Sequence, residues 1–202
     1  MSTIFYRPQT LETIARLTLT QYDANYLNGS PKAIPLETII EKHFGLRIEY
    51  KHLTNDAREL GRMIYDDGIT TYFDRDIDDY ALLRVDGGVM LIEASLLDEE
   101  NSYGRLRFTL AHELAHYIIH KQIFVGSGAA AALYDNDTDE DFIEWQANYL
   151  AKALLMPNGQ IKRCFYSLRS KCGKKECIHK MAEIFGVSRQ AMEIRLTDFR
   201  LI

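Results

Sequence analysis

The chain has 202 residues, 47% of them hydrophobic and 26% charged, which is enough apolar material to bury a sizeable core in one domain, or one domain with a small appendage. No basic segment followed by an apolar one opens the chain and no 18-residue apolar run occurs in it, so the expectation is a soluble, cytoplasmic protein with no membrane span. The net charge of −5 is uneven: residues 1–160 carry 14 basic and 25 acidic side chains, whereas residues 161–202 carry 10 basic and 4 acidic.

In the N-terminal third, apolar residues at 11, 14, 15, 17, 19 and 22 predict one amphipathic helix over Leu11 to Tyr26. A second starts at Pro35, whose fixed φ suits a first helical turn, and ends at Gly45. Short segments follow between turn residues: Leu46–His52, Gly61–Tyr65, Ile69–Phe73, Tyr80–Arg84 and Val89–Ala94. Asp66-Asp67-Gly68 and Asp86-Gly87-Gly88 are the clearest hairpin signals, and together these predict a small, mainly antiparallel sheet. Val89 to Ser95 is a candidate edge strand on which an extended peptide backbone could pair; the rival reading is an ordinary core strand.

From Arg105 to His120 the residues at 106, 108, 110, 111, 114, 115, 118 and 119 are apolar, with no Gly or Pro after Gly104, as in a helix buried on most of its surface. Inside it lies His112-Glu113-Leu114-Ala115-His116, an HExxH. Residues four apart share a helix face, so two imidazoles can reach one ion at about 2.0–2.1 Å, while Glu113, rotated by about 100°, can address a water there. The expected ion is one Zn²⁺ per chain, with Glu113 as the proton acceptor during attack on a carbonyl. A helix carrying two histidines for packing alone fits so apolar a run less well.

A catalytic zinc takes three protein ligands plus water, so a third must lie downstream. Ile119 stands where an HExxHxxGxxH pattern needs Gly, and Gln122 where it needs the third His. A second apolar helix runs from Asp139 to a stop at Pro157, with Glu144 among Phe142, Ile143, Trp145, Ala147 and Leu150. A carboxylate desolvated there needs a partner, and a metal supplies one. Asp139, Glu140 and Asp141 remain rivals, more simply read as a solvated helix start. Asn148, one turn after Glu144, is placed to hydrogen-bond a ligand histidine.

The tail from Met181 to Leu196 has the Ala-x₃-Gly-Val-Ser turn and the following amphipathic stretch of a helix-turn-helix unit. With Arg189 alone at the start of the second helix, packing or partner binding is favoured over DNA reading. Cys164, Cys172, Cys177 and His179 do not have zinc-ribbon spacing, and reduced cysteines are expected. His120 falls about 80° around the helix from His112 and reads as a core residue rather than a ligand. Tyr103, Tyr117 and Tyr134 are open candidates for stabilising an oxyanion.

The pairing of Arg105–His120 with the block Glu144–Pro157 resembles the ImmA/IrrE family of bacterial metallopeptidases, over roughly residues 10–200. The resemblance implies a gluzincin-like site with His112, His116 and Glu144 on zinc and Glu113 as the catalytic carboxylate. It also implies a substrate class, helix-turn-helix transcriptional repressors whose inactivation derepresses a mobile element or a stress response. Gln146 stands where many relatives have Glu, and Ala115 where Gly is common. The expected architecture is α+β: a zincin-like metallopeptidase core at 1–160 and a C-terminal helical lobe at 161–202. The competing function is a non-catalytic regulator of the same fold that binds a repressor or DNA.

Overall fold

The structure is a computed structural model and describes residues 5–98, 103–125 and 137–202. It is a mixed α+β arrangement in which helices α1 (Pro8–Asp23), α4 (Tyr103–Phe124) and α5 (Asp137–Leu155) pack together beside a small sheet. Pro8 sits in the first turn of α1, as its fixed φ favours, and Leu11, Ala15 and Leu19 form the buried stripe. A short turn, α2 (Asn25–Asn28), follows. The helix expected from Pro35 is α3 (Leu36–Thr38) running into a π-helical turn, Ile39–His43. Gly45 ends it with φ of 67°, a conformation that only glycine adopts at no steric cost.

Strands β1 (Arg47–Lys51), β2 (Gly61–Ile64), β3 (Gly68–Asp74), β4 (Asp79–Val85) and β5 (Val89–Glu93) lie where the turn residues bracket them, but they pair differently from the sequence expectation. One sheet becomes two, a three-stranded β1-β5-β2 and a two-stranded β3-β4. β5 runs parallel to β1 and antiparallel to β2. Neither expected hairpin turn joins partners within a sheet. Asp66-Asp67-Gly68 and Asp86-Gly87-Gly88 are corners where the chain leaves one sheet and re-enters it, and they touch, since Asp67 Oδ1 accepts from Gly87 N at 2.8 Å. The hairpin that forms, β3–β4, turns through Asp74–Asp79, with Asp78 at a φ of 53° and Asp74 Oδ1 accepting from Asp76 N.

Strand β5 is the middle strand, not the edge, and all five of its residues are buried. Successive side chains point to opposite faces: Met90 and Ile92 join the main core, while Val89 and Leu91 join a smaller cluster with Leu53, Ile64 and Val85. A continuous apolar run is what a strand covered on both faces requires. β2 takes the edge position beside α4.

After α5 come α6 (Asn158–Leu168), α7 (Lys174–Phe185) and α8 (Arg189–Asp198). Gly186, with φ of 63°, closes α7, and Ser188 caps α8 by accepting from Ala191 N at 3.1 Å. Two buried arginines fasten this end of the chain. Arg107 on α4 donates to Gly186 O at 2.9 Å and Ile34 O at 2.7 Å. Arg195 on α8 donates to Met156 O at 3.1 and 3.0 Å and pairs with Glu12 at 2.7 Å. Side chains from both sides of residue 160, such as Leu154, Ile161, Met181 and Leu196, share one apolar cluster. No helix among the described residues is long and apolar enough to cross a membrane.

Candidate metal centre

Helix α4 lies between the sheet and α5, with Leu110, Ala111, Leu114 and Ala115 fully buried. The 3.6-residue period stacks His112, His116 and His120 along one face. α5 lies along that face, and its residues Ile143, Gln146, Ala147 and Leu150 are buried. This contact brings Glu144 to the histidines: His112 Nε2 is 3.2 Å from Glu144 Oε2, His116 Nε2 is 3.2 Å from Glu144 Oε1, and the two Nε2 atoms are 3.0 Å apart.

Glu144 is not buried among apolar neighbours as its sequence context suggests. Its side chain is 48% exposed. Phe142 and Trp145 turn outward, where Trp145 stacks on Phe5 and Phe142 meets the Phe5 ring edge-on. The carboxylate sits at the rim of the α4–α5 contact because Ile143 and Ala147 occupy the inward face. Of the rivals, Asp141 is solvent-exposed and the side chains of Asp139 and Glu140 lie outside the described residues, as do Asp135 and Tyr134.

The other ring nitrogens are also engaged. His112 Nδ1 is 3.1 Å from Asn148 Oδ1, and His116 Nδ1 is 3.1 Å from His120 Nδ1. If Nδ1–H donates in both, a neutral ring keeps its lone pair on Nε2, the tautomer a metal ligand needs, and a further proton on Nε2 gives the imidazolium that donates to Glu144. The second contact requires His120 to accept and therefore to be neutral. Burial, followed by the charge of His116, pushes the His120 imidazole down to about 3, in keeping with that role. Sequence spacing placed His120 in the core but gave no hint that it holds His116; the signal available was a third histidine at the same four-residue interval.

The electrostatics of the cluster run in opposing directions. Burial drives the Glu144 carboxyl upward, but hydrogen bonds from His112 and His116, with their charges, hold it well below the usual carboxylate range. Burial pulls His112 down, and the hydrogen bond to Glu144 with the charges of Glu113 and Glu144 more than reverses this, so the imidazole ends above its ordinary value. Glu113, 7% exposed, is raised by burial against the lowering influence of His116 and His112. A carboxyl raised in this way exchanges a proton more readily than a solvated one.

Two imidazole nitrogens and a carboxylate oxygen are a donor set zinc favours, and tetrahedral donors about 2.0–2.1 Å from one ion lie about 3.3–3.4 Å apart. The two Nε2 atoms lie 3.0 Å apart and each is 3.2 Å from one oxygen of Glu144, His112 from Oε2 and His116 from Oε1, separations near that spacing, so this donor set fits the ion. Among the described residues this is the one group of His, Cys, Asp and Glu side chains that could hold a metal. Cys164, Cys172 and Cys177 are free thiols, and burial with the neighbouring Cys172 pushes the Cys177 thiol up to about 11. His179 accepts from Arg189 Nε at 3.0 Å, and its Nε2 lies 3.5 Å from Glu183 Oε1.

Of the tyrosines, Tyr103 is exposed under the Arg107 guanidinium, and Tyr117 stacks on Tyr65 while accepting from Lys121 Nζ at 2.9 Å. Sequence reasoning missed Gly61, whose Cα faces Glu113 and Thr109 with no room for a side chain.

No curated protein matches the chain significantly. Among solved structures, a Mycobacterium tuberculosis transcriptional regulator aligns with a TM-score of 0.51 at 17% identity, over 93% of this chain and 55% of its own. The chain therefore spans about half the length of that regulator, and at such identity the likeness is one of fold. A family model described as Peptidase_M78, IrrE N-terminal-like domain, matches residues 87–197, a stretch that begins before β5 and takes in α4, α5 and the tail helices. More than half of the chain thus carries the family's pattern, including every residue of the His112–His116–Glu144 cluster, and the protein belongs to the Peptidase_M78 family.

Proposed function

We propose that the protein is a zinc-dependent endopeptidase that cleaves a helix-turn-helix transcriptional repressor in the cytoplasm, relieving repression of a mobile element or a stress response. The observation that carries this reading is the convergence of His112, His116 and Glu144 donor atoms within 4.8 Å of one another, with Glu113 on the same helix. Those three side chains hold one Zn²⁺. When bound, the ion supplies Lewis acidity to a water and to the scissile carbonyl.

The chain's own groups do the rest. Asn148 and His120 orient the two ligand imidazoles from behind, at Nδ1. A Glu113 carboxylate oxygen takes the proton of the attacking water and returns it to the departing amine nitrogen, a task suited to a carboxyl whose burial favours the protonated form. β2 is the strand on which extended substrate backbone pairs. In its ladder with β5, Leu60 O accepts from Glu93 N, so by the two-residue alternation the peptide groups of Gly61 and Met63 point off the free edge.

The substrate class rests on membership of the Peptidase_M78 family and the likeness in sequence to the ImmA/IrrE proteins. The test is to incubate zinc-loaded protein with the helix-turn-helix repressors of its own source and map the products by mass spectrometry. Discrete cleavage of one repressor is the expected outcome. Intact repressors throughout, bound but uncut, would favour the regulator reading instead.

A further inference from the structure

Gly61 opens β2 in an ordinary backbone conformation; the described glycines with positive φ are Gly45, Gly88 and Gly186. Backbone geometry therefore does not require a glycine there, but space does. A β-carbon at residue 61 would lie 2.7 Å from Glu113 Oε1, 2.8 Å from Glu113 Cγ and 2.8 Å from Thr109 Cγ2. Two of these are carbon–carbon contacts, optimal at about 3.5–4.0 Å, and all three are closer than real β-carbons come to a neighbour.

Little around this point can yield. Thr109 is buried, its side chain is β-branched, and its Oγ1 donates to Arg105 O at 3.1 Å, which fixes the methyl that faces Gly61. β2 is tied on its other side to the central strand β5, with Leu60 O accepting from Glu93 N at 2.9 Å. The one group with torsional freedom is the Glu113 side chain.

Resting on the reading of Glu113 as the carboxylate that moves the proton, we propose that Gly61 is a positioning residue: its missing side chain lets the Glu113 carboxylate occupy its place between β2 and the ligand histidines. A methyl at residue 61 turns Glu113 into another rotamer and leaves the metal donors alone, since His112, His116 and Glu144 are not among the atoms nearest that β-carbon.

The test compares wild type, Gly61→Ala, Gly61→Ala/Thr109→Ser and Glu113→Gln, each zinc-loaded, on a library of internally quenched peptides, with zinc titrations and crystal structures of the first three. Gly61→Ala is expected to bind zinc within about threefold of wild type and to melt cooperatively. Its kcat should fall by about 100-fold, the scale of a 1 Å misplacement, with KM little changed. In its structure the Glu113 carboxylate is displaced. Removing the Thr109 methyl in the double variant should restore part of the rate, which general damage to the fold would not do.

A Gly61→Ala protein with wild-type kcat, or one whose Glu113 is unmoved, overturns the proposal, as does loss of folding in both the single and the double variant. If wild type cuts none of the peptides, the peptidase reading is what suffers, and the position of Glu113 in the Gly61→Ala structure still decides the role of Gly61.

Discussion

Glu93 and Glu144 are both carboxylates set in apolar runs, and they end in opposite environments. Glu93 closes β5 at 0% exposure. In the structure its Oε2 accepts from Leu53 N at 2.7 Å, and its Oε1 accepts from Ser95 N at 3.1 Å and meets His52 Nδ1 at 2.8 Å. Burial pushes this carboxyl up, but the hydrogen bonds from Leu53, His52 and Ser95 win and lower it below 4.5. A lowered acid adds stability that is present above its ordinary value of 4.5 and is lost as pH falls through the folded value. Glu93→Gln should therefore destabilise the protein by about 1–3 kcal/mol at neutral pH, from donors left unpaired, and flatten the acid limb of the stability profile measured by urea melts from pH 7 to 3. An unchanged acid limb would show that Glu93 does not set it.

Glu144 has the opposite setting. Its identity as the candidate third donor was legible from distance along the chain and from the helix that carries it, whereas its half-exposed setting was not, because which face of α5 turns inward depends on the packing of Ile143 and Ala147 against α4. We expect Glu144→Ala and His112→Ala to weaken zinc binding to a similar degree, each removing one of three donors. Full zinc occupancy in Glu144→Ala, read by elemental analysis after dialysis, would move the third ligand to the acidic start of α5.

At the scale of elements, helices α1, α4 and α5 were readable because a 3.6-residue apolar period and the Pro and Gly signals at their ends act locally. Strand positions were readable for the same reason. Strand partners were not, because turn residues announce a change of direction without saying whether the next strand joins the same sheet. Asp66-Asp67-Gly68 and Asp86-Gly87-Gly88 serve as corners between two sheets through their mutual contact, a long-range fact no local window contains.

The turn between α7 and α8 lies where the Ala-x₃-Gly-Val-Ser pattern places it, with Gly186 in the left-handed region and Ser188 as the cap. Gly186→Ala should cost about 1–2 kcal/mol of stability, since it strains a left-handed position and its β-carbon would come 3.1 Å from Arg107 Nε. An unchanged thermal midpoint, against the fall of about 2–4 °C that each kcal/mol gives in a chain of this size, would show that the turn tolerates the side chain.

Across the whole molecule, the excess of basic residues after residue 160 raises the question of DNA. Arg195, on the second helix of the helix-turn-helix-like pair, is fully buried against Met156 and Glu12, and Arg189 at its start is engaged with His179. Few cations remain on α8 to read bases. We expect duplex DNA to bind weakly and without sequence preference, with affinity collapsing as salt rises. Nanomolar, sequence-specific binding at physiological salt, with Arg189→Ala relaxing discrimination at one position by about 1–3 kcal/mol, would contradict this and favour the regulator reading.

If α4 and α5 assemble a zinc centre whose chemistry runs through Glu113, a side-by-side assay of wild type and Glu113→Gln separates binding from catalysis. Glutamine keeps the size of the side chain but cannot take a proton from water. Both proteins should bind about one zinc per chain, and only wild type should cleave a helix-turn-helix repressor. Equal cleavage by the two zinc-loaded proteins would contradict this.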